Sequence, residues 1–102
     1  MASVHCLGAG LVGSYVACRL ADRGHDVHVH DMNPQPKVVG YPGVVIHHGD
    51  ALDHCSELNE YAEVDIVVNM LPGDIGNIAM NTLNEQSYRT VSYTHLTLPT
   101  KA

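Results

Sequence analysis

Six residues near the start of the chain, Gly8-Ala9-Gly10-Leu11-Val12-Gly13, follow the apolar run Val4-His5-Cys6-Leu7, and Asp31 closes the next apolar run. Glycines spaced G-x-G-x-x-G between a strand and a helix, with an acid about twenty residues further on, are suited to holding a dinucleotide. Gly8 allows a tight turn out of the first strand, and Gly10 has no Cβ to keep a pyrophosphate from the backbone. Gly13, one turn into the helix, allows close packing of helix on strand. No Ser, Thr, Asp or Asn stands at the helix start, so its first N–H groups have no side-chain partner and suit an anion.

Asp31, with Met32 beside it, supplies the other half of the pattern. A carboxylate at the end of the second strand accepts hydrogen bonds from an adenosine ribose, each worth about 1.5–3 kcal/mol when charge-assisted. The same charge repels a 2′-phosphate, and the nearest following base is Lys37 rather than an arginine. NAD is therefore expected in preference to NADP.

The elements that must position these residues alternate along the chain. Apolar periodicity and breakers predict a strand near 2–7, a helix near 11–23, a strand over 26–31, a proline-rich loop over 32–42 and a strand over 43–48. A helix over 52–61, a strand over 64–70 and a helix over 75–86 follow. Such alternation implies an α/β fold of the Rossmann type, a doubly wound parallel sheet with the glycine turn at its carboxyl edge. Val12, Val16 and Leu20, with Ala17 and Ala21, are expected to form the buried stripe of the first helix, and Ile75, Ile78, Ala79 and Leu83 that of the last. Asp50-Ala51 and Leu71-Pro72-Gly73 follow the third and fourth strands, so the first pair is expected to flank adenine and the second group the ribose and nicotinamide side.

Composition narrows the function classes. A length of 102 residues, 45% hydrophobic, fits one soluble domain, and no apolar run approaches the roughly 18 residues of a membrane span. A cytoplasmic location is expected by default. The formal charge of −6 with scattered basic residues offers no footprint for nucleic acid, which leaves small molecules as partners, with a homo-oligomer open. Cys6, Cys18 and Cys55 lack metal or disulfide spacing and read as reduced, mostly buried thiols. His28 and His30 share a strand face, but without carboxylate or thiolate company the histidines read as polar or partly exposed strand-end residues, not metal ligands.

Three segments together resemble the NAD(P)-binding domain of the saccharopine dehydrogenase and lysine 6-dehydrogenase family: Leu7 to Ser14, Val45 to Ala51, and Val64 to Gly73. Gly76-Asn77-Ile78-Ala79-Met80 extends the resemblance, which spans residues 2 to about 90; its most specific part is Leu71-Pro72-Gly73. It implies hydride transfer between a nicotinamide cofactor and the carbon of an amino-acid-derived amine or imine. Asp31-Met32-Asn33-Pro34 and Asn69-Met70-Leu71-Pro72 also resemble the β-hydroxyacid dehydrogenases. Gly49-Asp50-Ala51 resembles the non-enzymatic nucleotide-binding modules of potassium transport systems.

The saccharopine-type resemblance implies a substrate domain beyond this chain, so no catalytic residue is assigned and the segment alone is expected to be inactive. Val91-Ser92-Tyr93-Thr94-His95-Leu96-Thr97-Leu98-Pro99-Thr100 resembles a translated frame of the adapter used in transposase-based sequencing libraries. Residues 1–90 are thus expected to form an incomplete dinucleotide-binding domain and 91–102 a non-native tail, with poor solubility from the exposed sheet edge.

Overall fold

The computed structural model describes residues 1–61, 63–86 and, for the backbone alone, 90–92. Strand β1 (Ser3–Leu7) leads through the glycine turn into helix α1 (Leu11–Asp22), and β2 (Asp26–Asp31) follows. A 3-10 turn at Pro36–Val38 interrupts the proline-rich loop before β3 (Val44–His48) and the short helix α2 (Ala51–Ser56). A second 3-10 turn, Leu58–Glu60, precedes β4 (Ile66–Asn69), helix α3 (Gly73–Glu85) and β5 (Thr90–Ser92). All strands run parallel in the order β3-β2-β1-β4-β5. This is the α/β, Rossmann-like arrangement that the alternation predicts, and its first four strands give the order 3-2-1-4. Residues 93–102 of the expected tail lie outside the described residues.

Predicted and observed elements differ most where the chain is least apolar. The helix expected over 52–61 divides into α2 and the 3-10 turn, with Glu57 between them. Leu58 of that turn is fully buried, and it serves as a plug for the core rather than as part of a longer helix. In the loop expected over 32–42, Pro36 opens the 3-10 turn and Val38 is likewise buried.

Two apolar cores lie on opposite faces of the sheet. On one, Val4, Cys6, Val27, Val29 and Val68 meet Ala17 and Cys18 of α1. On the other, Leu7 and Val67 meet Ala51 and Cys55 of α2, Leu58, and Ala79 and Leu83 of α3. The helix stripes meet expectation at Ala17, Ala79 and Leu83, which are buried, and differ elsewhere. Helix α1 buries Gly13, Ser14, Ala17 and Cys18, while Val12 is exposed; α3 buries Gly76, Ala79 and Leu83, while Ile75 and Ile78 are exposed. In both helices a glycine and an alanine, Gly13 with Ala17 and Gly76 with Ala79, face the sheet, because they permit a closer approach than larger side chains would.

The histidines also depart from expectation. His28 and His30 share a face, as period two requires, but His30 and His5 are fully buried. The parallel register sets His5 beside His28, and His30 beside His47. His5 and His30 form part of the interior under α2, whereas His28 and His47 are partly exposed, as the sequence reading expects.

Candidate functional site

The glycine turn is held by β2. The Gly8 amide donates to the His30 carbonyl at 2.9 Å, and the Gln35 amide donates to the Ala9 carbonyl at 3.0 Å. Gly8 has φ +97°, a backbone conformation that favours glycine. Its neighbour across the sheet is the end of β4: a Cβ at Gly8 would lie 3.4 Å from Leu71 Cδ2 and 3.5 Å from the Met70 carbonyl oxygen. Gly13 has the strictest steric requirement. A Cβ there would stand 2.6 Å from the Gly8 carbonyl oxygen, so helix and turn approach as closely as the sequence pattern predicts.

Gly10 is different, because a Cβ added to it meets nothing within 4 Å. It is the N-cap of α1, and no side chain caps the helix. The open space over Gly10 and the uncapped first turn suit the pyrophosphate of a dinucleotide, whose negative charge the helix dipole favours. Leu11 and Val12 flank that turn with exposed side chains.

Asp31 reaches into the same place. Its Oδ2 accepts from the Ala9 amide at 2.6 Å and its Oδ1 from the Asn33 amide at 2.9 Å. Two backbone donors therefore fix the carboxylate over the turn, and each oxygen keeps further acceptor capacity for a ribose hydroxyl. Met32, beside it, is 62% exposed at the rim.

The residues after β3 and β4 are positioned differently. Leu71 lies against Gly8, and the Met70 amide donates to the Leu7 carbonyl at 3.0 Å, so the β4 turn adjoins the glycine turn where the strand order reverses. Such a reversal is where ligands enter doubly wound sheets. Pro72 is the N-cap of α3, and Gly73 opens the helix with φ +55°. Asp50 instead caps α2, its Oδ1 accepting from the Leu52 amide at 2.9 Å, and Ala51 is buried in the second core. The link from there to the cradle is the Gly49 amide, which donates to the Asp31 carbonyl at 3.3 Å.

Residues 6–60 match the NAD(P)-binding Rossmann-like domain, which is more than half of the chain. The chain belongs to this family. No curated protein matches it. The match covers the glycine turn, Asp31 and the β3 edge, and it leaves NAD and NADP undistinguished. A dinucleotide ligand is consistent with the open first turn of α1.

Two supporting residues carried no signal in the dinucleotide pattern itself. Asn69, fully buried, donates from Nδ2 to the Gly76 carbonyl at 3.0 Å and accepts at Oδ1 from the Leu71 amide at 3.1 Å. It fixes the β4 turn against α3. Met70 places its Cε 3.4 Å from the position of a Gly13 Cβ, which closes the floor of the turn. A polar residue ending an apolar strand just before a Pro-Gly break was the available clue to Asn69. Among the described residues, no three His, Cys, Asp or Glu side chains converge as a metal ion would require. No helix among them is long and apolar enough to cross a membrane.

Proposed function

We propose that the chain binds NAD at the carboxyl edge of its sheet and forms the dinucleotide-binding part of an oxidoreductase acting on an amino-acid-derived amine or imine. The observation that carries the cofactor reading is the Asp31 carboxylate, held over the glycine turn by the Ala9 and Asn33 amides. Held there, it accepts from the ribose hydroxyls of NAD and opposes the added phosphate of NADP. The bare N–H groups at the start of α1 take the pyrophosphate, and Gly10 leaves room for it. Leu71, Pro72 and Gly73 bound the ribose and nicotinamide side, and Asp50 and Ala51 lie toward adenine. When bound, the nicotinamide ring supplies the hydride acceptor or donor. The substrate class rests on the resemblance of the segment ending in Leu71-Pro72-Gly73 to the saccharopine dehydrogenase family.

Titration calorimetry of the chain with NAD and NADP tests the cofactor choice. NAD should bind more tightly, and Asp31→Asn should weaken it by roughly ten- to hundredfold, the loss of one charge-assisted bond worth about 1.5–3 kcal/mol. Tighter binding of NADP to the native chain overturns the assignment. The substrate class is tested on the product of the intact gene: reduction of NAD with lysine or saccharopine supports it, and activity confined to hydroxy acids rejects it.

A further inference from the structure

Five imidazoles and one phenol occupy the space between the sheet and α2. His5 and His28 stack with ring centroids 4.5 Å apart and planes 3° from parallel; His30 and His47 stack at 4.8 Å and 13°. His54 of α2 meets His30 edge-on at 5.1 Å, and Tyr61 meets His5 edge-on at 4.7 Å. None of these residues touches the glycine turn by side chain in the contacts described above. Their chemistry is therefore not absorbed by dinucleotide binding.

The array is wired as two hydrogen-bonded chains. In one, Tyr61 Oη, His47 Nδ1 and Nε2, His28 Nδ1 and Nε2, and Asp26 Oδ2 follow in order, with gaps of 3.4, 2.9 and 3.2 Å. Asp26 can only accept when ionised, so neutral rings satisfy this chain in a single direction: Tyr61 donates to His47, His47 to His28, and His28 to Asp26. In the other chain His5 Nδ1 lies 2.8 Å from His30 Nε2, and His30 Nδ1 lies 3.0 Å from His54 Nδ1. Donation from His5 to His30 and from His30 to His54 satisfies those atoms. It leaves His5 Nε2, buried and without a partner, as a bare lone pair, whereas the opposite direction would leave there an N–H with no acceptor, the costlier arrangement.

A proton added to that lone pair makes a buried N–H with no acceptor on a cation stacked against other imidazoles. A proton added to His30 sets its Nε2–H against the His5 Nδ1–H, and relief by moving the His5 proton to Nε2 leaves that N–H buried without an acceptor. Either event opposes the packing of α2 and β3 on β1 and β2. From there the path to the cradle is short. His54 sits in α2, α2 begins at the Asp50 cap, and Gly49 before it donates to the Asp31 carbonyl.

We propose that this imidazole array is an acid-sensitive lock on dinucleotide binding: protonation of His5 and His30 loosens α2 and β3 and with them the adenosine side of the cradle. The proposal rests on the reading that the cradle takes NAD. Burial, then the neighbouring His28 and His47, hold His5 down to about 4, with Asp26 the opposing carboxylate. Burial, followed by His5, His47, His54 and His28, lowers His30 further. Burial, then His28 and His54, also lowers His47. The unfolded chain, with imidazoles near 6.5, therefore takes protons first as the pH falls. Stability is complete above about pH 6.5 and is lost toward pH 4.

Urea unfolding of the 102-residue chain with chelator present, from pH 8 to pH 5, tests the lock alongside NAD calorimetry at pH 7.5 and 5.8. The expected unfolding constant is flat above pH 7 and rises below it by up to about tenfold per pH unit for each proton taken up. The NAD dissociation constant should rise by the factor by which the closed fraction falls, tenfold where that fraction reaches about one tenth. His5→Leu should make both responses shallower by the one proton that His5 contributes. Nitrogen NMR of the native histidines decides the matter should that variant not fold: His5 and His30 should remain neutral until the chain unfolds. A His5 or His30 ring that titrates near 6.5 in an intact fold, a flat stability profile, or a dissociation constant unchanged at a pH where the closed fraction has fallen to about one tenth overturns the lock. A flat profile with normal NAD binding leaves the cofactor reading standing. Failure to bind NAD at pH 7.5 with a steep acid limb overturns that reading and the lock with it, while leaving the acid sensitivity of the array established.

Discussion

Gly10 and Gly13 stand three residues apart in one motif and have opposite physical requirements. A Cβ at Gly13 meets the backbone oxygen of Gly8 at 2.6 Å, and backbone cannot swing aside as a side chain can. Gly13→Ala should therefore cost about 1–3 kcal/mol of stability, the usual penalty for overpacking. Gly10, with φ −75° and open space around it, lies outside the left-handed region and offers no steric bar to a methyl group. Gly10→Ala should leave the ligand-free chain as stable or raise it by about 0.4–1 kcal/mol, while weakening NAD because the methyl occupies the approach to the backbone. Urea midpoints and calorimetry on the two variants separate these effects. Equal loss of stability in both would show that the turn is held by something other than the helix-to-turn contact.

At the scale of elements, the most exacting joint is the turn from β4 to α3. Asn69 replaces two hydrogen bonds that the strand end cannot make for itself, one to the Leu71 amide and one to the Gly76 carbonyl. Asn69→Ala strands both groups, and a drop of about 1–3 kcal/mol in unfolding free energy is expected, measured by urea denaturation. A change below about 0.5 kcal/mol would mean that water satisfies them equally well. Strand positions, the glycine turn and Asp31 were legible in the sequence, because period and punctuation are local properties. Which residues complete the buried stripe of a helix was legible only in part. In α3, Ala79 and Leu83 are buried as the periodicity indicates, but Gly76 completes the stripe in place of Ile75 and Ile78, which hydrophobicity alone favours. Close approach to the sheet decides for the small residues. The imidazole array was illegible for a related reason: Asp26-Val27-His28-Val29-His30-Asp31 shows a polar face, but only the register with β1 and β3 makes that face an interior.

The whole molecule raises the question of whether its two cores open together. Cys6 lies in the core under α1 and Cys55 in the core under α2 and α3, both fully buried. Burial pushes the Cys6 thiol up to about 12 and the Cys55 thiol up to about 11, so neither forms a reactive thiolate in the folded chain at neutral pH. Both should resist a thiol reagent until the fold opens, and Cys55 also loses its 3.7 Å contact to the Ala79 carbonyl only when α2 and α3 part. If the sheet couples the two cores in one cooperative unit, Cys6 and Cys55 should be labelled at equal rates over a range of urea concentrations, read by mass spectrometry of their separate peptides. The histidines make the alternative specific. The five of the array belong to the α2 side alone, so below pH 6 Cys55 should become labelled ahead of Cys6. Labelling of Cys6 first under acid would place the weak face under α1 instead and reject the assignment of acid sensitivity to the imidazole side of the sheet.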